Sequence, residues 1–146
     1  MIRLLALDPG RTTGYSIWHY DEHAPLKLIQ RGQISNGLEG FVAWFRSQER
    51  FDEVVAETFK LDGRTIKPDT TPLAIEGALT VLAPGWVGQP NTMKTSATDT
   101  QLKRWGLWWP GHQHARDSAR HAIAYMKRKR HIPTLRLLFP DRKGSA

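Results

Sequence analysis

A chain of 146 residues has room for one domain around a single core and little room for a second catalytic domain, since domains commonly run to about 100–200 residues. It has no cysteine, which excludes a disulfide framework and any thiolate metal site, and no stretch approaches the roughly 20 apolar residues of a membrane span. The formal charge of +7 is unevenly placed: residues 1–100 carry 10 Lys+Arg against 12 Asp+Glu, net −2, and residues 101–146 carry 11 against 2, net +9. A basic surface concentrated in this way suits a polyanion, because each neutralised phosphate releases condensed counterions; a solubilising basic tail would give the same count.

In chain order, residues 2–7 are apolar except for Arg3, the pattern of a strand buried on both faces and central in its sheet. Asp8 and Pro9 cut this run short before a signal-peptide core could form, which points to a cytoplasmic protein. DPGRTTG supplies turn chemistry, and residues 15–20, rich in aromatic and β-favouring types, read as a second strand in a hairpin with the first. A third strand is predicted over 26–34. Leu38, Phe41, Val42 and Phe45 recur at helical spacing and predict an amphipathic helix over 38–50. Val54, Val55 and Ala56 then form an internal strand that ends on Glu57, and residues 60–69 read as a polar loop.

Proline at the start suits the first turn of a helix over 72–83. That helix is apolar nearly all round, more than one sheet face can cover, so either a second copy of the chain or a neighbouring helix is expected on it. Residues 86–89 predict a short fifth strand, and Thr98 is placed to cap a helix running to Trp105. Trp105, Trp108 and Trp109 are expected to pack in the core or loop. A long helix is predicted from about 113 to 130, stopped by Pro133. At about 100° per residue its wheel separates a core stripe (Ala115, Ala119, Ala122, Met126) from a face with His114, Asp117 and His121 and a third with Arg116, Arg120 and Lys127.

An acid on a helix is usually a solvated residue or an arginine's partner. Asp117 gains weight from Asp8 and Glu57, each at the end of a buried strand, because three acids brought together repel unless a cation joins them. Hard ions such as Mg²⁺ or Mn²⁺ prefer oxygen ligands, and a pair of them can activate water and stabilise a leaving oxygen.

The order LDPGRTTGYS, VVAETF, HARDSARHAIAY resembles the RuvC-type Holliday-junction resolvases, particularly their compact phage-borne members, over roughly residues 1–130. The resemblance implies an α/β, RNase H-like fold: a mixed central sheet of about five strands, the first three antiparallel, flanked by helices. It divides the chain into a nuclease domain over 1–133 and a basic tail over 134–146. It implies a metal-dependent, structure-selective endonuclease that resolves four-way junctions, and other branched DNA such as forks and flaps, by phosphodiester hydrolysis. The work would be done as a homodimer in a bacterial or phage-infected cell. Asp8, Glu57 and Asp117 would bind two Mg²⁺ or Mn²⁺ ions, with His114, at a position where the family carries histidine or aspartate, as a fourth ligand or general acid/base. Asp8 would bridge both ions.

For DNA contact the resemblance adds Phe59 as a wedge that stacks on an unpaired base, where simple packing under the next loop is the alternative, and Lys94 near the scissile phosphate. Lys60, Arg116, Arg120, Lys127, Arg128, Lys129 and Arg130 are expected on phosphates. His121 is expected behind the ligands or facing DNA rather than on an ion. Three competitors remain open: a phosphotransferase of the actin and sugar-kinase type, whose Asp-x-Gly-x-Thr hairpin LDPGRTTG satisfies but which needs a second domain; a branched-DNA-binding protein without cleavage; and a nuclease of the same fold acting on RNA-containing substrates.

Overall fold

The computed structural model describes residues 1–60, 63 and 66–140. Part of the loop expected over 60–69 and part of the expected tail over 134–146 therefore lie outside the described residues. The strands are β1 (Ile2–Asp8), β2 (Thr13–Tyr20), β3 (Lys27–Ile34), β4 (Glu53–Glu57) and β5 (Val87–Gln89). The helices are α1 (Gly37–Ser47), α2 (Thr71–Leu82), α3 (Asp99–Arg104), α4 (Gln113–Lys129) and α5 (Ile132–Leu138), with a 3-10 helix at Asn91–Ser96.

One sheet has the order β3-β2-β1-β4-β5. β1, β2 and β3 are antiparallel neighbours, whereas β4 runs parallel to β1 and β5 parallel to β4. β1 is thus central, as its unbroken apolar run predicts, and Leu4, Leu5, Ala6 and Leu7 are all fully buried. Each leucine contributes roughly 1.5–3 kcal/mol by leaving water.

Side chains alternate across a strand, so each strand feeds two cores. Leu5, Leu7, Val54 and Ala56 pack against Phe41 of α1 and Ile75 and Leu79 of α2. Leu4, Ala6 and Val55 face α4, meeting Ala115, Ala119, Ala122 and Met126, the stripe the helical wheel selects. Asp8 shares the parity of Leu4 and Ala6, and Glu57 that of Val55. Both therefore end their strands on the α4 side, and the pairing of Leu7 with Ala56 sets them side by side.

Two local features bring α4 in close. Gly14 pairs with Asp8 in register, and a Cβ there would lie 1.9 Å from the backbone carbonyl carbon of His114, so only glycine fits under the first turn. The backbone N–H of His114, one of the donors that a helix start leaves without an internal partner, is accepted by Gln33 Oε1 at 3.2 Å. α3 begins with a capping box in which Thr98 and Gln101 satisfy each other's backbone N–H groups, an arrangement typically worth about 1 kcal/mol.

The boundary expected after residue 133 falls inside α5. Thr134 is buried and accepts the Leu26 N–H at 3.0 Å, and Leu138 and Phe139 pack on the core, so the first part of the expected tail belongs to the folded body. The outward face of α2 carries Leu73, Ala74, Gly77 and Val81, all exposed, with Val81 at 78%. α1 lies beside α2 but leaves this stripe open. Among the described residues, no helix is long and apolar enough to cross a membrane.

Candidate active site

The ends of β1 and β4, the first turns of α4 and the 3-10 helix converge on one cluster of charge. His114 Nδ1 lies 3.1 Å from Asp8 Oδ2. Asp8 and Glu57 stand side by side at the paired ends of β1 and β4, where each shifts the other's ionisation. Lys94, carried by the 3-10 helix, places its ammonium 3.3 Å from Glu57 Oε1 and 3.5 Å from Asp117 Oδ2. All four residues expected to form the site, Asp8, Glu57, His114 and Asp117, are thus gathered, with Lys94 in their midst.

The two strand-end acids have opposite electrostatics. Burial, then the adjoining carboxylate of Asp8, push Glu57 up to about 8, and Lys94 offsets only part of this. Burial also works against ionised Asp8, but the hydrogen bond to His114, the adjoining Glu57 carboxyl and the Lys94 charge outweigh it and hold its carboxyl below the usual range. Of the two, Glu57 is the acid biased toward its protonated form and Asp8 the one biased toward its charged form. The hydrogen bond to Asp8 raises His114 against the opposing effect of its burial, and Glu57, Asp117 and Asp8 together raise Lys94 despite its burial.

Among the described residues, no group of three or more His, Asp or Glu side chains stands ready to ligate an ion. The reason is visible in the distances: the Lys94 ammonium lies between Glu57 and Asp117, so a cationic side chain already holds these carboxylates. The donor set itself, three carboxylates and an imidazole, is the chemistry that Mg²⁺ or Mn²⁺ takes, and the raised Glu57 marks a place short of positive charge.

The residues expected on DNA fall into different settings. Phe59 is half-buried and lines a cavity of about 610 Å³ beside the cluster with Pro9, Glu57, Pro72, Asn91 and Lys94; its backbone N–H is accepted by Glu76 Oε2 at 3.2 Å. Lys60 borders the same cavity and is exposed. Arg120 is turned inward: it bonds the Ala97 carbonyl and Asp99, its Nε lies 3.3 Å from Asp117 Oδ1, and its side chain is 12% exposed. Arg116 lies 4.1 Å over the Trp108 ring and donates to the Trp109 carbonyl.

Residues 127–130 sit at the carboxyl end of α4. Lys127 donates to the Ser96 carbonyl, and Arg128 approaches the Gly88 carbonyl and Gln89 Oε1. Lys129 bonds Tyr20 and Glu53 at the start of β4, the opposite end from Glu57, while Arg130 is exposed in the left-handed conformation that ends α4. Trp109 is buried and Trp105 and Trp108 pack against the core, as expected.

His121 is fully buried, so of its two expected places, behind the ligands or facing DNA, the second is excluded; its Nε2 lies 4.0 Å from Glu57 Oε1. Its partner Gln89 was not singled out by sequence reasoning, nor was Gln33. The signal for Gln89 is a polar side chain on the inward parity of β5; Gln33 offered none.

No family model matches the sequence, and no curated protein matches it. Solved structures do. The chain is similar to Thermus thermophilus RuvC in complex with a Holliday junction substrate, at 13% identity over 91% of this chain and 98% of that one, with a TM-score of 0.64. Another structure of T. thermophilus RuvC gives 14% identity, 89% and 98% coverage and a TM-score of 0.60. Fowlpox virus resolvase, in complex with Holliday junction DNA, gives 17%, 86% and 99%, and 0.61. With the five-stranded mixed sheet and its flanking helices, these likenesses show that the chain shares the fold of these RuvC and poxvirus structures.

Proposed function

We propose that the protein is a divalent-metal-dependent endonuclease that resolves four-way DNA junctions by phosphodiester hydrolysis. The observation that carries this reading is the crowding of Asp8 against Glu57, with Asp117 tied to the same group through Lys94, at the sheet end where α4 crosses. The structural likeness to two resolvases bound to junction DNA favours a branched substrate.

Asp8, Glu57, Asp117 and His114 would hold two Mg²⁺ or Mn²⁺ ions, which supply an activated water and neutralise charge at the leaving oxygen. Asp8, which holds His114 and stands beside Glu57, would serve both ions. Lys94, whose ammonium lies beside Glu57 and Asp117, would contact the phosphate next to these acids. His114, held on Asp8 through Nδ1 and half open to solvent, has one ring nitrogen left, which would either complete the ion's ligands or take or deliver a proton at the water. Phe59 and its cavity would receive an unstacked base next to the cut, and the exposed Lys60 would contact the backbone. Arg120 would act by orienting Asp117, a role its burial favours over direct phosphate contact.

The open stripe Leu73, Ala74, Gly77 and Val81 is suited to a second copy of the chain, pairing two sites for two opposing strands. Labelled four-way junctions, forks, flaps, plain duplex and RNA–DNA hybrids, each with Mg²⁺ or Mn²⁺ or with chelator, test the function. Metal-dependent paired cuts in junctions are expected. Tight junction binding without cutting, or preference for the hybrid, would replace the reading. Sedimentation at low micromolar concentration tests the pairing, since a monomer that resolves junctions at full rate contradicts it.

A further inference from the structure

His121 has no task in the scheme above, yet it is the one fully buried histidine. Its ring lies between Gln89 of β5 and Glu57 of β4. Gln89 Nε2 is 3.1 Å from His121 Nδ1 and 3.0 Å from the backbone carbonyl oxygen of the same residue. A carbonyl oxygen only accepts, so the Gln89 group facing it is the NH₂; the flipped amide would set two oxygens against each other at that distance. The amide thus donates to both, which makes Nδ1 an acceptor.

With Nδ1 accepting from Gln89, the single proton of the ring is on Nε2. That Nε2–H has no hydrogen-bond partner among the described residues and lies 4.0 Å from Glu57 Oε1, the same oxygen that Lys94 holds at 3.3 Å. An unpartnered buried donor typically costs about 1–3 kcal/mol, so its retention beside a carboxylate calls for a use.

We propose that Gln89 and His121 form a positioning relay for Glu57. Gln89 fixes the tautomer, and the His121 Nε2–H is a built-in donor that receives Glu57 Oε1 when the carboxylate turns from Lys94 toward an ion. A small rotation of the carboxyl closes 4.0 Å to a hydrogen bond. Donors behind a ligating carboxylate set its orientation, and their loss typically weakens metal affinity by about 10–100-fold. The inference rests on the reading of Glu57 as an ion ligand.

Two measurements on the intact chain decide it. In ¹⁵N-labelled wild type, two-bond imidazole correlations, assigned by their loss in His121→Gln, are expected to show His121 neutral with the proton on Nε2. A proton on Nδ1, or a doubly protonated ring, overturns the relay whatever the variants do. Mn²⁺ affinity, followed by electron paramagnetic resonance, is expected to fall about tenfold or more in His121→Phe and in Gln89→Leu. It should recover to within a few-fold of wild type in His121→Gln, whose amide restores an N–H donor. Wild-type affinity in a folded His121→Phe overturns the proposal, and if that variant does not fold, Gln89→Leu and the tautomer decide. Failure of the parent itself to bind Mn²⁺ would remove the ion-ligand reading together with this inference, an outcome told apart because it appears before any substitution.

Discussion

β4 is five residues long and carries a glutamate at each end, both on the α4 face of the sheet, and the two have opposite fates. Glu53 receives hydrogen bonds from Tyr20 and Tyr125 and from Lys129 Nζ at 2.9 Å. Burial alone would raise it, but Tyr125, Tyr20 and Lys129 outweigh burial and hold its carboxyl below the ordinary range. Glu57 is no more exposed, with 15% of its side chain open against 23% for Glu53, yet it meets Asp8 and is pushed up to about 8. The contrast teaches that burial does not decide what an acid does; its supply of donors does. The end furnished with donors ties α4 to the sheet, and the end short of them has the electrostatics of an ion site.

The largest effect expected at the crowded end is on catalysis. Asp8→Asn and Asp117→Asn should each lower metal-dependent junction cutting by on the order of a hundredfold or more while leaving junction binding in place, and Glu53→Gln should leave cutting per folded molecule within a few-fold. Steady-state cleavage beside gel-shift binding checks both halves; near-parental cutting in either aspartate variant breaks the comparison at its reactive end.

The same change, Glu to Gln, should then have opposite signs on stability four residues apart. Glu53→Gln is expected to destabilise by about 1–3 kcal/mol, because it weakens charge-assisted hydrogen bonds from two tyrosines and a lysine. Glu57→Gln should stabilise the metal-free protein by roughly 1–2 kcal/mol at pH 8, a figure kept well below the full shift because the side chain retains contact with water. Urea melts in chelator read both values, and equal signs would end the distinction.

The pH dependence sharpens it. Glu57 is raised in the folded state, so the folded chain keeps a proton that the unfolded chain gives up above its ordinary 4.5; stability from this group is present at low pH and is lost between about 4.5 and 8. Glu53 is lowered, so its stabilisation is present above 4.5 and fades as pH falls through its depressed folded value. Metal-free Glu57→Gln should therefore flatten the decline in stability above pH 5, and Glu53→Gln should flatten the decline on acidification. Smallest of all, Phe59→Ala should reduce the preference for junction over linear duplex several-fold, in line with the lower end, about 1 kcal/mol, of a base–aromatic stack. An unchanged ratio of the two cleavage rates would confine Phe59 to packing.

Much of the frame was legible because it depends on periodicity. The apolar run of β1, the alternation through Val54–Val55–Ala56 and the alanine stripe of α4 each specify a face, and two of those faces carry Asp8 and Glu57 to the same side. What a wheel cannot supply is what covers a face. It set His121 beside Asp117 correctly, but Gln89, 32 residues away in a three-residue strand, closes over it. The basic residues of α4 were legible as charge and not as direction. Arg120 is turned by Asp99, 21 residues distant, and Lys129 by Glu53, 76 distant, so two cations expected on phosphates are fastened within the fold.

Gly14 takes on a further meaning in this light. The glycine that closes DPGRTTG was read as turn chemistry, yet it lies within β2, and what it supplies is clearance for the helix crossing above it. One methyl group at that point would lift the opening turn of α4 and with it His114 and Asp117, parting them from Asp8 and Glu57 with no charged residue altered. The chemistry of this surface is set as much by a hydrogen where a carbon could have been as by any charged atom in it.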